Sequence, residues 1–210
     1  GVMMSVDPNI RLAIYNDALI LSGERVLFSL EENREPRRLL DVVWEGALRF
    51  CLEQGQWNFA VRAERLDYSP SVEPPFGYIR AFDKPEDWIR TCSVASDPYF
   101  NNTILDYTDE AAFWFCNYDE IYIRYVSDSE FYGNNGSAWP ETYRMFIAAH
   151  LAKLVSPRLK NGSDAQTIEY EYKTRKRDAL TKDALKDPTK RVPAGAFVTS
   201  RRGQRSRFSR

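Results

Sequence analysis

Up to about position 54 the apolar residues of this chain recur at helical spacing. Between positions 57 and 135 they change to two-residue alternation and short aromatic runs, and after Gly136 the helical spacing returns. This switch and return constrains the fold more than any other feature. It places a β unit inside a helical frame, which excludes an all-α or all-β architecture.

Asp7 followed by Pro8 is a cap with proline at the first helical position. Ile10, Ala13, Ile14, Ala18 and Leu21 then form a stripe that Gly23 stops. A second helix is expected from about Glu35 to Gln54, carrying Leu40, Val43, Trp44, Ala47, Leu48 and Cys51, with Gly55 beyond it. In the middle third the runs Gly77 to Phe82, Trp88 to Val94, Ala111 to Cys116 and Ile121 to Val126 are expected as strands. The polar tetrad Asn117-Tyr118-Asp119-Glu120 is expected as the hairpin turn joining the last two. Alternation puts Ile121, Ile123 and Tyr125 on one face.

After Gly136, Tyr143, Phe146, Ile147, His150, Leu151, Leu154 and Val155 mark a third helix that Pro157 ends. Ala148, Ala149 and Ala152 allow close approach on another face of it. A fourth is expected from Ser163, with Gln166 completing a capping box, to about Asp187. Its apolar positions are few: Ala165, Ile168, Tyr172 and Ala179. The pairs Glu169–Lys173, Glu171–Arg175 and Asp178–Lys182 suit a solvated face.

The expected fold class is therefore α+β. Residues 1–56 and 136–187 form a four-helix bundle, residues 57–135 an inserted antiparallel, sandwich-like β module, and residues 188–210 an extended C-terminal arm.

Charge separates the arm from the body. Seven of the 29 basic residues and none of the 30 acidic ones lie in 188–210, which leaves the body with 22 against 30, a net −8. Cys51, Cys92 and Cys116 are odd in number and lack C-x-x-C spacing, against a disulfide framework or a zinc site. No run approaches the length of a membrane span, and no secretion signal is expected.

Few residues invite a chemical role. Trp57-Asn58-Phe59 is expected to plug the seam between bundle and module. Asp87 and Arg90 are expected to cap a turn and pair with each other. His150, the one histidine, sits on an apolar stripe with no second ligand near it in sequence, and is expected as a packed or interface side chain. The acids Glu31-Glu32, Asp109-Glu110, Asp119-Glu120, Asp128 and Glu130 are expected in solvated turns. Phosphate-loop, nucleophile-elbow and dinucleotide fingerprints are all missing from the sequence. No catalytic residue, metal site or cofactor is expected.

The arm has two chemistries open to it. Arg201, Arg202, Arg205, Arg207 and Arg210 can neutralise phosphates, which is the nucleic-acid-binding alternative. They can equally make bidentate contacts to carboxylates of a protein partner, with Phe197, Val198 and Phe208 as apolar anchors.

Several segments carry a family resemblance. They are Ile14-x-x-Asp17-Ala18-Leu19-x-x-x-Gly23-Glu24, Gly55-x-Trp57-Asn58-Phe59-Ala60, and Lys84-Pro85-x-Asp87-Trp88-Ile89-Arg90. Ile123-Arg124-Tyr125-Val126-Ser127-Asp128 and Phe146-Ile147-Ala148-Ala149-x-Leu151-Ala152 continue the series. In order and spacing, over roughly residues 9–187, it resembles the head-to-tail adaptors of tailed bacteriophages related to tail tubular protein A, also called connector or gateway proteins. The resemblance implies a structural virion protein in the neck, assembled in the host cytoplasm as a twelve-fold ring. It implies docking under the portal protein, a downstream nozzle or stopper protein, and passage of genomic DNA without specific binding. It favours a protein partner for the arm, so that Phe197, Val198, Arg201, Arg202, Arg205, Arg207, Phe208 and Arg210 would contact the portal.

Overall fold

The structure is a computed structural model, and it describes residues 6–159 and 164–187. Among these residues it contains four helices and two small antiparallel three-stranded sheets, a mixed α+β fold. The helices are α1 (Pro8–Leu21), α2 (Glu35–Glu53), α3 (Glu141–Val155) and α4 (Ala165–Ala184). The strands are β1 (Val61–Asp67), β2 (Arg80–Asp83), β3 (Trp88–Ala95), β4 (Thr108–Glu110), β5 (Phe113–Cys116) and β6 (Glu120–Ser127). All the strands fall inside the stretch where the periodicity changes.

The helix ends follow local chemistry. The Asp7 carboxylate accepts from the Asn9 N–H at 2.8 Å, and Gly23 adopts φ +72° just past the end of α1, a left-handed conformation that suits glycine. α4 differs from expectation at its start. Its cap is Asp164, whose side chain accepts from the Gln166 N–H at 3.1 Å, while Ser163 lies outside the described residues. Of its expected pairs, Lys173 meets Glu169 at 3.6 Å and Arg175 meets Glu171 at 3.1 Å, but Asp178 meets Arg177 instead.

α3 is the central helix. It packs against α1, α2 and α4, and it buries Tyr143, Phe146 to Ala152 and Val155. A helix apolar around most of its circumference must be surrounded, and the run of small alanines lets its neighbours come close.

The first sheet has the order β1-β6-β3 and the second β2-β5-β4. The tetrad 117–120 is therefore not a hairpin turn. β5 and β6 belong to different sheets, and the chain crosses between them there. The polar groups of the tetrad are spent on that crossing. Asn117 Oδ1 accepts from the Ile79 N–H, Asp119 pairs with Arg80 at 2.6 Å, and the Asp119 carbonyl accepts from the Tyr68 N–H. The tight hairpin lies instead at Ala111-Ala112, between β4 and β5, within the run expected as one strand. Asp109 and Glu110 are thus strand residues rather than turn acids.

β6 shows how the fold divides its apolar residues. Ile121, Ile123 and Tyr125 join Phe82, Val94, Trp114 and Cys116 in one cluster drawn from both sheets. Val126, on the opposite face, joins the larger cluster of the helices with Ile89, Trp57 and Ala60. The three cysteines are free thiols.

Candidate functional site

The arm residues Phe197, Val198, Arg201, Arg202, Arg205, Arg207, Phe208 and Arg210 lie outside the described residues. What the structure does bring together is a seam, a polar network beside it, and a groove along α2 that reaches Asp128.

Trp57 fills the seam. Its indole is buried, donates to the Cys51 carbonyl at 3.0 Å, and meets the ring of Tyr143 edge-on at 4.8 Å and that of Phe59 at 6.1 Å. Asn58 ties the same point to the last turn of α4. Its backbone N–H donates to the Asp183 carboxylate at 3.1 Å, and its side-chain amide donates to the Asp183 carbonyl at 2.9 Å. The start of the β stretch and the end of α4 are therefore clasped together.

Asp87 does not pair with Arg90, which instead donates to the Glu53 carbonyl at 3.3 Å. Asp87 pairs with Arg62 of β1 at 3.0 Å, accepts from the Ser127 hydroxyl, and lies 3.0 Å from the Tyr125 hydroxyl. Glu64 completes the network, 2.8 Å from Arg62 and 3.1 Å from the Tyr125 hydroxyl. Burial pushes the Asp87 carboxyl up, but the hydrogen bonds from Ser127, Arg62 and Tyr125 outweigh it and hold it below its ordinary value. The Tyr125 phenol moves the other way, raised by burial and by the charges of Asp87 and Glu64. With both oxygens of Asp87 occupied by donors, this carboxylate serves as a hub that holds β1, β3 and β6 in register.

Arg62, Glu64, Tyr125 and Ser127 were not legible as partners of Asp87. Arg62 and Glu64 alternate along β1 on the half-buried face, so an inward-facing ionic pair disguised the strand as surface.

His150 is buried, stacked on Phe50 at 4.3 Å and tilted against Tyr172 at 5.8 Å. Burial, helped by the charge of Lys153, lowers its pKa to about 4. A histidine pKa below its ordinary 6.5 favours the fold fully above that value, and the contribution declines as pH falls toward 4. His150→Gln is expected to remove roughly 2 kcal/mol of acid-induced destabilisation over that window. The check is the difference in urea midpoint between variant and parent, measured at pH 7.5 and again at pH 4.5.

Two cavities meet at Asn134. One, about 230 Å³, runs along α2 past Glu45, Gly46, Leu48, Arg49 and Leu52 to Asp128. The other, about 360 Å³, continues past Glu130, Phe131 and Gly136 to Val6 and Asp7. Asp128 pairs with Arg49 at 3.6 Å, and burial nonetheless raises its carboxyl. The Glu45 and Glu130 side chains make no ion pair or hydrogen bond among the described residues.

At the end of the β stretch away from the helices, Tyr68, Phe76, Ile79 and Tyr118 are exposed. The Arg80 guanidinium stacks 4.1 Å over the Tyr68 ring while it pairs with Asp119.

Among the described residues no group of three or more His, Cys, Asp and Glu side chains is placed to hold a metal ion, and no helix is long and apolar enough to cross a membrane. Compared with models of protein families and with curated proteins, the chain gives no match to either.

Proposed function

We propose that this chain is a head-to-tail adaptor of a tailed bacteriophage, a structural protein of the virion neck. In this reading α1 to α4 form a four-helix bundle that packs beside its neighbours in a twelve-membered ring. The two sheets form a sandwich-like module directed toward a downstream nozzle or stopper protein. The arm, residues 188–210, reaches onto the portal protein, and genomic DNA passes through the ring. The observation that carries the reading is the resemblance over residues 9–187, in order and spacing, to that family. The same segments fall at points where the fold is held: Trp57 and Asn58 at the seam, Asp87 at the network, Phe146 to Ala152 in the central helix.

The charge distribution supports the same reading. A body at −8 suits a conduit whose wall repels phosphate and lets DNA slide, while a purely basic arm suits an acidic docking surface. The test is deletion of residues 192–210, which removes five of the seven arm cations together with Phe197, Val198 and Phe208. Far-UV circular dichroism of the body is expected to hold, and docking to the portal at physiological salt to weaken tenfold or more. Docking with undiminished affinity would remove the arm from the portal interface. If the deletion instead abolishes DNA binding and leaves portal docking intact, the arm belongs to the nucleic-acid-binding alternative.

A further inference from the structure

We infer that the groove formed by the two cavities meeting at Asn134 is the docking site of this chain's own C-terminal arm, residues 188–210. The groove has the chemistry of a receptor for a basic, aromatic peptide. Its floor is apolar, from Leu48 and Leu52 on one side of Asn134 to Val6 on the other. Its rim carries Glu45, Asp128, Glu130 and Asp7 against the single cation Arg49. Phe131 stands at the edge with 76% of its surface exposed, an aromatic ring with no cover of its own. The arm offers the complement: seven basic residues, no acidic one, and the apolar side chains Phe197, Val198 and Phe208.

Gly46 is an independent sign that something passes over this part of α2. A glycine inside a helix costs about 1 kcal/mol relative to alanine. Nothing in the fold requires it, because a Cβ at that position would meet no atom within 4 Å. The open strip it leaves lies in the wall of the groove, where an extended backbone can approach α2 closely. An incoming guanidinium would also relieve Asp128, whose carboxyl is raised by burial despite Arg49.

Geometry favours the arm of the same molecule. The arm follows Asp187, just beyond the turn of α4 that Asp183 clasps to Asn58. Lys176 holds α4 to Gln54, at the end of α2, at 2.6 Å. From Gln54 the groove lies two to nine residues back along the helix, from Leu52 to Glu45, a distance of about 3 to 14 Å. A 23-residue segment spans up to about 75 Å, so its tip reaches the groove with slack. Tethering gives it an effective concentration on the order of millimolar. The groove would hold the arm until an external partner competes for it. This docking does not depend on the adaptor reading, since an arm can occupy the groove whether its external partner is a portal or a nucleic acid.

The test uses the full-length chain with Phe197 or Phe208 replaced by photoreactive benzoylphenylalanine, irradiated and mapped by mass spectrometry. Crosslinks are expected at monomer mass, to residues 45–52 and 128–137. Glu45→Gln together with Glu130→Gln is expected to lower their yield threefold or more, as is 1 M salt, which shortens the screening length to about 3 Å. Glu110→Gln, outside the groove, is expected to leave it unchanged. Crosslinks that map mainly elsewhere overturn the inference, as does a yield no higher than that of the urea-unfolded chain. Products at dimer mass overturn it as well, because they assign the groove to the arm of a second copy. None of these outcomes reports on portal docking, so failure here is distinct from failure of the adaptor reading.

Discussion

Replacing Trp57 with alanine is expected to destabilise the fold by about 4 kcal/mol, the largest effect of any single truncation at the seam. The indole is 1% exposed and stands where the last turn of α2 gives way to the β stretch. Three losses combine. A large aromatic volume disappears from a packed interior, its contacts with Tyr143, Phe59 and Phe146 go with it, and the Cys51 carbonyl loses its donor. Little can collapse into the space, because Gly55 already lies against the same ring and a Cβ there would stand 3.1 Å from it. Trp57→Phe keeps part of the volume and is expected to cost about half as much. Urea denaturation of both variants gives the comparison. A Trp57→Ala variant within 1 kcal/mol of the parent would mean that the seam is held elsewhere.

Asp87→Ala is expected to cost about 3 kcal/mol, because it removes the acceptor on which Arg62, Ser127 and Tyr125 converge and leaves a half-buried guanidinium with only Glu64. The pH dependence identifies the cause. The folded carboxyl lies below its ordinary 3.8, so its stabilisation is fully present above that value and is lost as pH falls through the folded one. Asp87→Asn keeps the shape and one acceptor but not the charge. Its stability deficit relative to the parent is expected at pH 7 and should shrink progressively below pH 4. A deficit that persists unchanged at the lowest pH would place the effect in packing rather than in the ionised network.

How much of this was legible in advance depended on which physical signal a residue carries. The four helices were legible because their stripes, caps and stops are local, and α1 and α2 start at the expected Pro8 and Glu35. At α4 the Ser163 signal stood one position before the aspartate that caps it, since Asp164 competes for the same role. β6 was legible because its alternation divides an inter-sheet face from a helix-facing one. β1 was not, because its half-buried face carries Arg62 and Glu64, and only the approach of Asp87 and Tyr125 makes that burial tolerable. The Asn117–Glu120 tetrad looked like a hairpin turn for the opposite reason. Its residues have turn chemistry, but the direction the chain takes after them is set by Tyr68, just past β1, and by Arg80 of β2.

By itself the sequence determined the order of elements, the α+β class, an alanine-rich apolar third helix and the contrast between an acidic body and a basic arm. All of these rest on periodicity, capping and composition, which neighbouring residues settle among themselves. Only the tertiary structure decided which strands share a sheet, that Asp87 meets Arg62 rather than Arg90, that Asp183 clasps Asn58, and that Glu45, Asp128 and Glu130 rim one groove. Each of those is a contact between residues far apart in the chain, whose free energy depends on burial that no local window contains.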